Sequence, residues 1–218
     1  MKRCVRNSIF IVLLAAGWAG NADAQTPDAQ RWYAEFAAAA TLGHKSDTSF
    51  GGELGYTWTD TRQLFFEIGR MGNVATSAMD DRAQIIAQSI GATFSTGQAA
   101  TYFDGGLKYR LAARGSWRPY VLLGIGASRV TSETNFFVNG ADVTDVLLEQ
   151  YGVQLGSDLA GSVTKFFLTI GGGVNRPLGS RYLVDLTYRY GHIFSSGSIE
   201  DDTGINTQRV QAGIGILF

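Results

Sequence analysis

The fold is decided by the carboxy-terminal stretch Val210-Gln211-Ala212-Gly213-Ile214-Gly215-Ile216-Leu217-Phe218. Apolar side chains occupy every second position of this stretch, and most of the positions between them are small or polar. A period of two is typical of a β-strand whose two faces meet different environments. A membrane-spanning β-strand needs an apolar face toward lipid and a small or polar face toward a lumen, and an aromatic residue such as Phe218 suits the membrane boundary. The alternative is the last strand of a soluble sheet.

The amino-terminal segment has the three parts of a secretory signal peptide. Three basic residues within 1–6 precede the apolar run 9–16, and Ala22-Asp23-Ala24 forms an A-x-A cleavage site. We expect cleavage after Ala24, which leaves residues 25–218 as one outer-membrane β-barrel domain. The apolar run is too short to span a membrane, and no later segment reaches 18 consecutive apolar residues, so no transmembrane helix is expected.

Composition excludes several classes of function. The single cysteine, Cys4, lies in the predicted signal before its apolar run, so we expect neither a disulfide nor a lipid-modified cysteine in the mature chain. The signal takes three of the 18 basic and one of the 19 acidic residues, which leaves 15 and 18 and a net charge of −3. The chain has no basic block, so nucleic acid is not an expected partner.

Seven further segments repeat the alternation, which makes eight strands with the terminal one. Short connections at 59–62, 112–117 and 176–180 alternate with longer ones at 43–49, 73–98, 132–162 and 194–205. Short periplasmic turns and long extracellular loops produce this rhythm in outer-membrane barrels, whereas a soluble β-sandwich has no reason for it. We therefore predict an all-β fold, an eight-stranded antiparallel up-and-down transmembrane β-barrel.

Two of the long connections carry helix signals. Asp80-Asp81, followed by residues 82–88 and Gly91, predicts a short capped helix. Residues 142–151 predict a second helix, and Asn139-Gly140 is a hairpin signal, so we expect strand 5 to extend above the membrane. A strand over 84–95 is an alternative, and it would make a ten-stranded barrel.

Charged side chains fall on the strand faces opposite the apolar stripes. An eight-stranded barrel is only wide enough for its side chains to fill, and buried charges must be paired. We therefore expect a salt-bridge network that plugs the lumen, and a gated or proton-sensitive conduit is the alternative. The alternation assigns five acidic and four basic residues to the lumen: Glu35, Glu53, Glu67, Asp104, Asp185, Lys108, Arg110, Arg189 and Arg209.

Candidates for catalysis and metal binding are few. His44 and His192 are the only histidines, and Ser195, Ser196 and Glu200 follow the second. A serine hydrolase needs histidine, serine and carboxylate together, but a spacing of three places His192 and Ser195 on opposite strand faces. We therefore assign no catalytic residue. Two separated histidines without a cysteine in the mature chain predict neither a metal site nor a cofactor.

Several motifs carry a family resemblance: Asp104-Gly105-Gly106-Leu107-Lys108-Tyr109-Arg110, Pro119-Tyr120-Val121-Leu122, Asp185-Leu186-Thr187-Tyr188-Arg189-Tyr190, and the end at Phe218. Through them, essentially the whole mature chain resembles the small bacterial outer-membrane β-barrel superfamily of OmpA/OmpX-like barrels and opacity-type porin-family proteins. The resemblance implies residence in the outer membrane of a Gram-negative bacterium, among lipid and lipopolysaccharide. No carboxy-terminal peptidoglycan-binding domain is expected, since the chain ends with the barrel.

The resemblance also implies a route of assembly. Periplasmic chaperones would deliver the chain, and the barrel-assembly machinery would insert it. In this family the machinery reads the final strand and its terminal aromatic, which here are Val210, Ala212, Ile214, Ile216 and Phe218.

The main functional hypothesis is a non-enzymatic integral outer-membrane barrel with a structural role in the envelope or a role in surface recognition or adhesion. It depends on the long connection 132–162, which would offer a surface to an extracellular ligand. The alternative is a narrow porin-like channel or small-hydrophobe conduit, because glycines on the inner faces of strands 5, 6 and 8 leave local space. A third hypothesis is an outer-membrane lipid hydrolase that uses His192.

Overall fold

The computed structural model describes residues 31–195 and 204–218. The predicted signal peptide 1–24, with Ala22 and Ala24 of its cleavage site, lies outside these residues, as do Ser196 and Glu200. Eight long β-strands form the wall: β1 Trp32–Leu42, β2 Asp47–Thr57, β3 Arg62–Met71, β4 Thr93–Arg110, β5 Arg118–Val138, β6 Gly161–Leu178, β7 Tyr182–Ile193 and β8 Ile205–Leu217.

The sheet closes on itself. Each strand pairs antiparallel with its neighbours in sequence, and β1 pairs with β8. A row of paired residues that starts at Thr164 on β6 passes once around the wall and returns to β6 at Val174, ten residues further along. A stagger of this size tilts the strands by about 40° from the barrel axis. The prediction of an eight-stranded up-and-down barrel is confirmed.

The seam between β1 and β8 runs the length of both strands and ends at the periplasmic side with Trp32 and Phe218. The Trp32 amide donates to the Phe218 carbonyl at 3.0 Å, and the Phe218 amide donates to the Trp32 carbonyl at 2.9 Å. This reciprocal pair completes the ladder of hydrogen bonds, so the wall has no free edge there.

The two faces of the wall differ as the alternation predicts. On β8, Ile214 and Ile216 are exposed on the outer face, while Arg209 and Gln211 are buried on the inner face. Such a continuous apolar outer surface suits lipid, and aromatic residues at its rim suit the membrane interface. The exposed aromatic side chains at the periplasmic end include Trp32, Trp58, Tyr109, Trp117, Tyr182 and Phe218.

The connection between β3 and β4 holds helix α1, Ser77–Ile90. The helix begins earlier than Asp80 because the Thr76 side chain accepts a hydrogen bond from the Met79 amide, and it ends at Gly91, whose φ is 68°. The alternative of a strand over 84–95 is wrong for residues 84–90, so the barrel has eight strands and not ten. Strand β4 then begins at Thr93.

Strand β5 extends above the membrane, as the hairpin signal predicts. It ends at Val138, and Asn139 and Gly140 form a tight turn with φ angles of 51° and 83°. The predicted helix over 142–151 is divided into a 3₁₀ turn at Thr144–Val146 and helix α2, Leu147–Tyr151.

Several extracellular connections are shorter than predicted. Strand β2 begins at Asp47, which reduces the first connection to residues 43–46. Strand β4 begins at Thr93, which shortens the predicted connection 73–98. The strand ends that rise above the lipid carry polar residues on both faces and lose the apolar alternation, which explains why the sequence pattern missed them. Within the described part of the chain, no helix is long and apolar enough to cross a membrane.

Candidate functional site

A network of buried charged side chains lies at the centre of the lumen. Arg189 donates to Glu53 Oε2 and to Glu67 Oε2, at 2.5 Å each. Lys108 forms a further ion pair with Glu53, whose Oε1 also accepts from the Tyr33 hydroxyl at 2.6 Å. Hydrogen bonds between opposite charges are the strong ones, so the network ties four strands together across the lumen.

Glu67 is the second centre of the network. Its Oε1 accepts from the Tyr102 hydroxyl at 2.8 Å and from Gln211 Nε2 at 3.2 Å. Arg209 Nη1 lies 3.5 Å from the same oxygen, and Arg209 also donates to the Tyr102 hydroxyl. Each carboxylate thus meets at least one cation and one tyrosine, which offsets the cost of burying it.

Asp185 belongs to a neighbouring cluster. The Tyr120 hydroxyl lies 2.8 Å from Asp185 Oδ1 and 2.9 Å from Oδ2, and Thr187 donates to the same carboxylate. Lys108 Nζ lies 4.9 Å from the centre of the Tyr120 ring, which links this cluster to the central network.

The other three predicted lumen residues, Asp104, Glu35 and Arg110, form no ion pair with the central network in the part of the chain that the structure describes. Asp104 is fully buried, and both of its carboxylate oxygens lack a hydrogen-bond partner among the described residues. Glu35 and Arg110 are partly buried and line a small cavity of about 20 Å³. The structure therefore brings Glu53, Glu67, Lys108, Arg189 and Arg209 into direct contact, with Asp185 joined through Tyr120.

Three tyrosines are part of the network although the sequence analysis did not single them out. Tyr33, Tyr102 and Tyr120 each turn a buried hydroxyl toward a carboxylate. For Tyr33 and Tyr102 the signal was present in the alternation, because each lies two residues from a predicted lumen charge on the same strand face. Tyr120 had no such signal, because β5 carries no predicted lumen charge.

An apolar cluster lies beside the network toward the extracellular end, and we call it the outer apolar cluster. Its centre is the contact between the Tyr102 and Phe167 rings, whose centroids are 5.5 Å apart. Side chains from β3 to β8 complete it, and they leave the lumen filled by hydrocarbon at this level. Its members are Met71, Val74, Ala100, Tyr102, Val130, Phe167, Ile193 and Ile205.

Three inner-face glycines, one each on β5, β6 and β8, are covered by larger side chains. Asp104 lies over Gly124 on β5, and the Tyr120 hydroxyl lies over Gly173 on β6. On β8, Glu35 lies over Gly213. The space that the conduit hypothesis assigns to these positions is occupied.

Above the barrel, α1 and the 143–159 segment pack together into a small apolar unit, which we call the extracellular cap. Arg82 Nη1 on α1 lies 2.6 Å from Asp158 Oδ2, so an ion pair joins the two parts. A polar cavity of about 50 Å³ below them is lined in part by Gln98, Ser132 and Lys165. The buried apolar members of the cap are Ala75, Met79, Ala83, Ala87, Phe136, Val143, Leu147 and Leu159.

Asp80 attaches the cap to the β1–β2 connection and to β4. Its carboxylate lies 2.8 Å from His44 Nε2 and 3.0 Å from Lys45 Nζ, and Thr96 on β4 donates to it. Partial burial raises the pKa of Asp80, but the hydrogen bonds from Thr96, His44 and Lys45 outweigh this effect and hold the pKa below its usual value.

His192 lies on the outer face of β7, away from the lumen. Its Nδ1 is 2.6 Å from Asn206 Oδ1, which also accepts from the Tyr190 hydroxyl at 2.7 Å. The next residue on the same face is Phe194, whose ring packs edge-on against the histidine with 4.5 Å between centroids. The groups seen around His192 are thus an amide, a phenol and a phenyl ring.

His44, the other histidine, is bound to Asp80 in the cap. In residues 31–195 and 204–218, no group of three or more His, Cys, Asp or Glu side chains is arranged to hold a metal ion.

Comparison with protein families gives one match. The model of the family described as "Outer membrane protein beta-barrel domain" matches residues 9–218. A comparison with curated protein sequences gave no match.

Three solved structures that share the fold are distant from this chain in sequence. Neisserial surface protein A is 16% identical, with 86% of this chain and 96% of that chain covered and a TM-score of 0.51. A major outer membrane protein from Thermus thermophilus is 8% identical, with coverage of 86% and 99% and a TM-score of 0.51. The outer membrane enzyme PagL is 16% identical, with coverage of 82% and 97% and a TM-score of 0.44. These likenesses concern the fold alone.

Proposed function

Because this chain belongs to the outer membrane protein beta-barrel domain family, and so resides in the bacterial outer membrane, we propose that it is a non-enzymatic barrel that presents its extracellular cap for recognition or adhesion. The observation that carries the proposal is the cap itself. It has its own buried apolar cluster and its own ion pairs, and it stands above a filled barrel. A connection that served only to join two strands would need neither.

The filled lumen supports a function at the surface rather than in transport. The central network and the outer apolar cluster occupy successive levels of the lumen. A porin keeps a continuous water-filled path through its interior, whereas a barrel of this size is filled by its own side chains.

The outer surface of the cap offers groups that suit a protein partner. Ile85 on α1 is 68% exposed, and Leu148 on α2 is 61% exposed, although another face of each helix packs into the cap. Large apolar side chains held rigidly in an exposed position are typical of contact sites.

The surroundings of His192 support a non-enzymatic function. On its own strand face His192 lies between Tyr190 and Phe194, and its Nδ1 contacts the Asn206 amide. A lipid hydrolase would place a nucleophilic oxygen there. The test is turnover of lipid A and phospholipid by the wild-type protein and by His192→Ala, and we expect none from either. Turnover that is lost in the variant would establish the enzyme.

The recognition proposal is tested by removing part of the cap. In one variant a Gly-Ser-Gly turn replaces residues 141–158, and in the control the same turn replaces residues 113–116 at the periplasmic end. Cells that express each protein are compared for adhesion to immobilised extracellular-matrix proteins and to one another. We expect both variants to keep the heat-dependent gel mobility of a folded barrel and only the cap variant to lose adhesion. Equal adhesion by the two variants would refute the recognition role.

A further inference from the structure

A row of polar side chains crosses four neighbouring strands on the outer face of the wall. Arg70 on β3 is paired with Thr101 on β4, which is paired with Arg129 on β5 and then Thr164 on β6. All four side chains are exposed. The two arginines are two strands apart, which places their backbones about 10 Å from each other. We call these residues the arginine row.

The arginine row lies at the outer boundary of the apolar belt. Two residues toward the periplasm on each strand, the paired residues are all apolar. Three of the four are at least half exposed and therefore face lipid. On the extracellular side the next positions are small or polar, and Thr131 and Ser162 form a hydrogen bond of 2.9 Å there. The apolar neighbours of the row are Ile68, Phe103, Ala127 and Phe166.

The two guanidinium groups have no carboxylate partner within the described part of the protein. Among residues 31–195 and 204–218, neither Arg70 nor Arg129 forms an ion pair within 4.0 Å. The nearest acidic residue on the same strand face is Glu133, four residues from Arg129 and about 13 Å along the strand. Two cations without a carboxylate partner at a lipid boundary are favourable where they meet anionic headgroups.

We propose that the arginine row binds a phosphate group of an anionic glycolipid in the outer leaflet. The planar guanidinium group donates two parallel hydrogen bonds to phosphate oxygens, and two of them can hold one phosphate from both sides. The hydroxyl of Thr101 lies between the arginines and supplies a further donor. The acyl chains of the lipid then pack along Ile68, Phe103 and Phe166 below. This inference depends on the position of the barrel in the membrane and not on the function of the cap.

The same strand offers a matched control. Arg62 lies on the same face of β3 at its periplasmic end, eight residues from Arg70, and Arg181 lies in the periplasmic turn before β7, on the opposite side of the barrel. The double variant Arg62→Gln/Arg181→Gln therefore removes the same two charges from the opposite boundary of the membrane. The variant Arg70→Gln/Arg129→Gln removes them from the arginine row.

The experiment measures lipid binding by native mass spectrometry of the folded mature chain in detergent. The probes are bis-phosphorylated lipid A, the same lipid after phosphatase treatment, and inorganic phosphate as a competitor. We expect the arginine-row variant to bind lipid A at least tenfold more weakly than wild type and the periplasmic control to bind it normally. We expect Arg70→Lys/Arg129→Lys to fall between them, because lysine keeps the charge but not the paired donors.

Three results would overturn the proposal. The first is equal binding of lipid A by the wild type and the arginine-row variant, with both folded by heat-dependent gel mobility. The second is displacement of lipid A by millimolar inorganic phosphate, which would make the row a site for free phosphate. Equal binding of the dephosphorylated lipid to wild type would also exclude phosphate recognition.

Discussion

Arg82 on α1 pairs with Asp158 across 76 positions of sequence, with 2.6 Å between Nη1 and Oδ2. The pair joins two extracellular connections that the wall itself holds apart. The cap is therefore one unit and not two independent loops.

Breaking this pair should loosen the cap without affecting the barrel. Both side chains are at least a quarter exposed, so solvent screens the pair and its contribution is about 1 kcal/mol or less. We expect Arg82→Ala to raise the rate of proteolytic cleavage within residues 143–160 by a few-fold. Limited proteolysis checks this, with the exposed Glu149→Gln as the control. Cleavage at the wild-type rate would mean that apolar packing alone holds the cap.

The attachment of the cap should depend on pH through Asp80. Its folded-state pKa is lowered because hydrogen bonds from Thr96, His44 and Lys45 outweigh the effect of partial burial. A lowered pKa stabilises the folded state above the ordinary aspartate pKa of about 3.9, and this stability is lost as the pH falls through the lowered value. We expect α1 to lose protection from hydrogen exchange in acid while β1 to β8 keep theirs. In Asp80→Asn, we expect the protection of α1 to be weaker at neutral pH and to change less when the pH is lowered. If the variant responded to acid as the wild type does, a group other than Asp80 would be responsible for the pH dependence.

Removing Arg189 should strongly destabilise the barrel. Its guanidinium bridges Glu53 and Glu67, all three being buried, so Arg189→Met leaves two carboxylates without their shared partner. Breaking a buried pair from one side costs about 3–5 kcal/mol. Urea unfolding in lipid or detergent measures the loss. Arg189→Lys keeps the buried charge and should lose less, and a loss equal to that of Arg189→Met would contradict this account.

Gly106 should not tolerate alanine. A methyl group there would overlap the carbonyl oxygen of Leu123, which belongs to the backbone of β5 and cannot turn away. We expect Gly106→Ala to cost about 1–3 kcal/mol or more and to lower the yield of folded barrel. Gly97 on the same strand has open space at the corresponding position, so Gly97→Ala is the control and should fold normally. Equal yields would show that β4 and β5 can separate to admit the methyl group.

The wild-type barrel should not conduct ions. The outer apolar cluster fills the lumen at the level of Phe167. The charge network fills the adjacent level on the periplasmic side. Single-channel recording in planar bilayers over a range of voltage and pH should give no conductance steps. Regular conductance steps from the wild type would support the pore hypothesis.

The wall was predictable because alternation is a local property. The environment on each side of a transmembrane strand changes at every residue, so nine residues of β8 already show both faces. The predictions failed where both environments were aqueous, at the upper ends of β2, β4 and β5, because polar residues on both faces leave no period to detect.

Partners across the lumen were not predictable from the same pattern. Alternation says that Arg189 and Glu53 both face inward, but they are 136 positions apart in sequence. Whether they meet depends on the stagger of the whole wall, which no single strand encodes. The packing of the cap was still less predictable from sequence. It brings together Phe136, Leu147 and Leu159, which come from segments that share no hydrophobic periodicity.

The seam between Trp32 and Phe218 has a consequence for the time order of folding. β1 and β8 are the first and last strands of the wall. The free edge of β1 therefore stays unpaired until the chain has been synthesised as far as β8. Throughout that interval an apolar strand carries unpaired backbone groups, the condition under which strands join other chains. The pairing of β1 with β8 therefore converts an aggregation-prone open sheet into a closed barrel in one late step. Until that step, the cell has to protect the open sheet from aggregation.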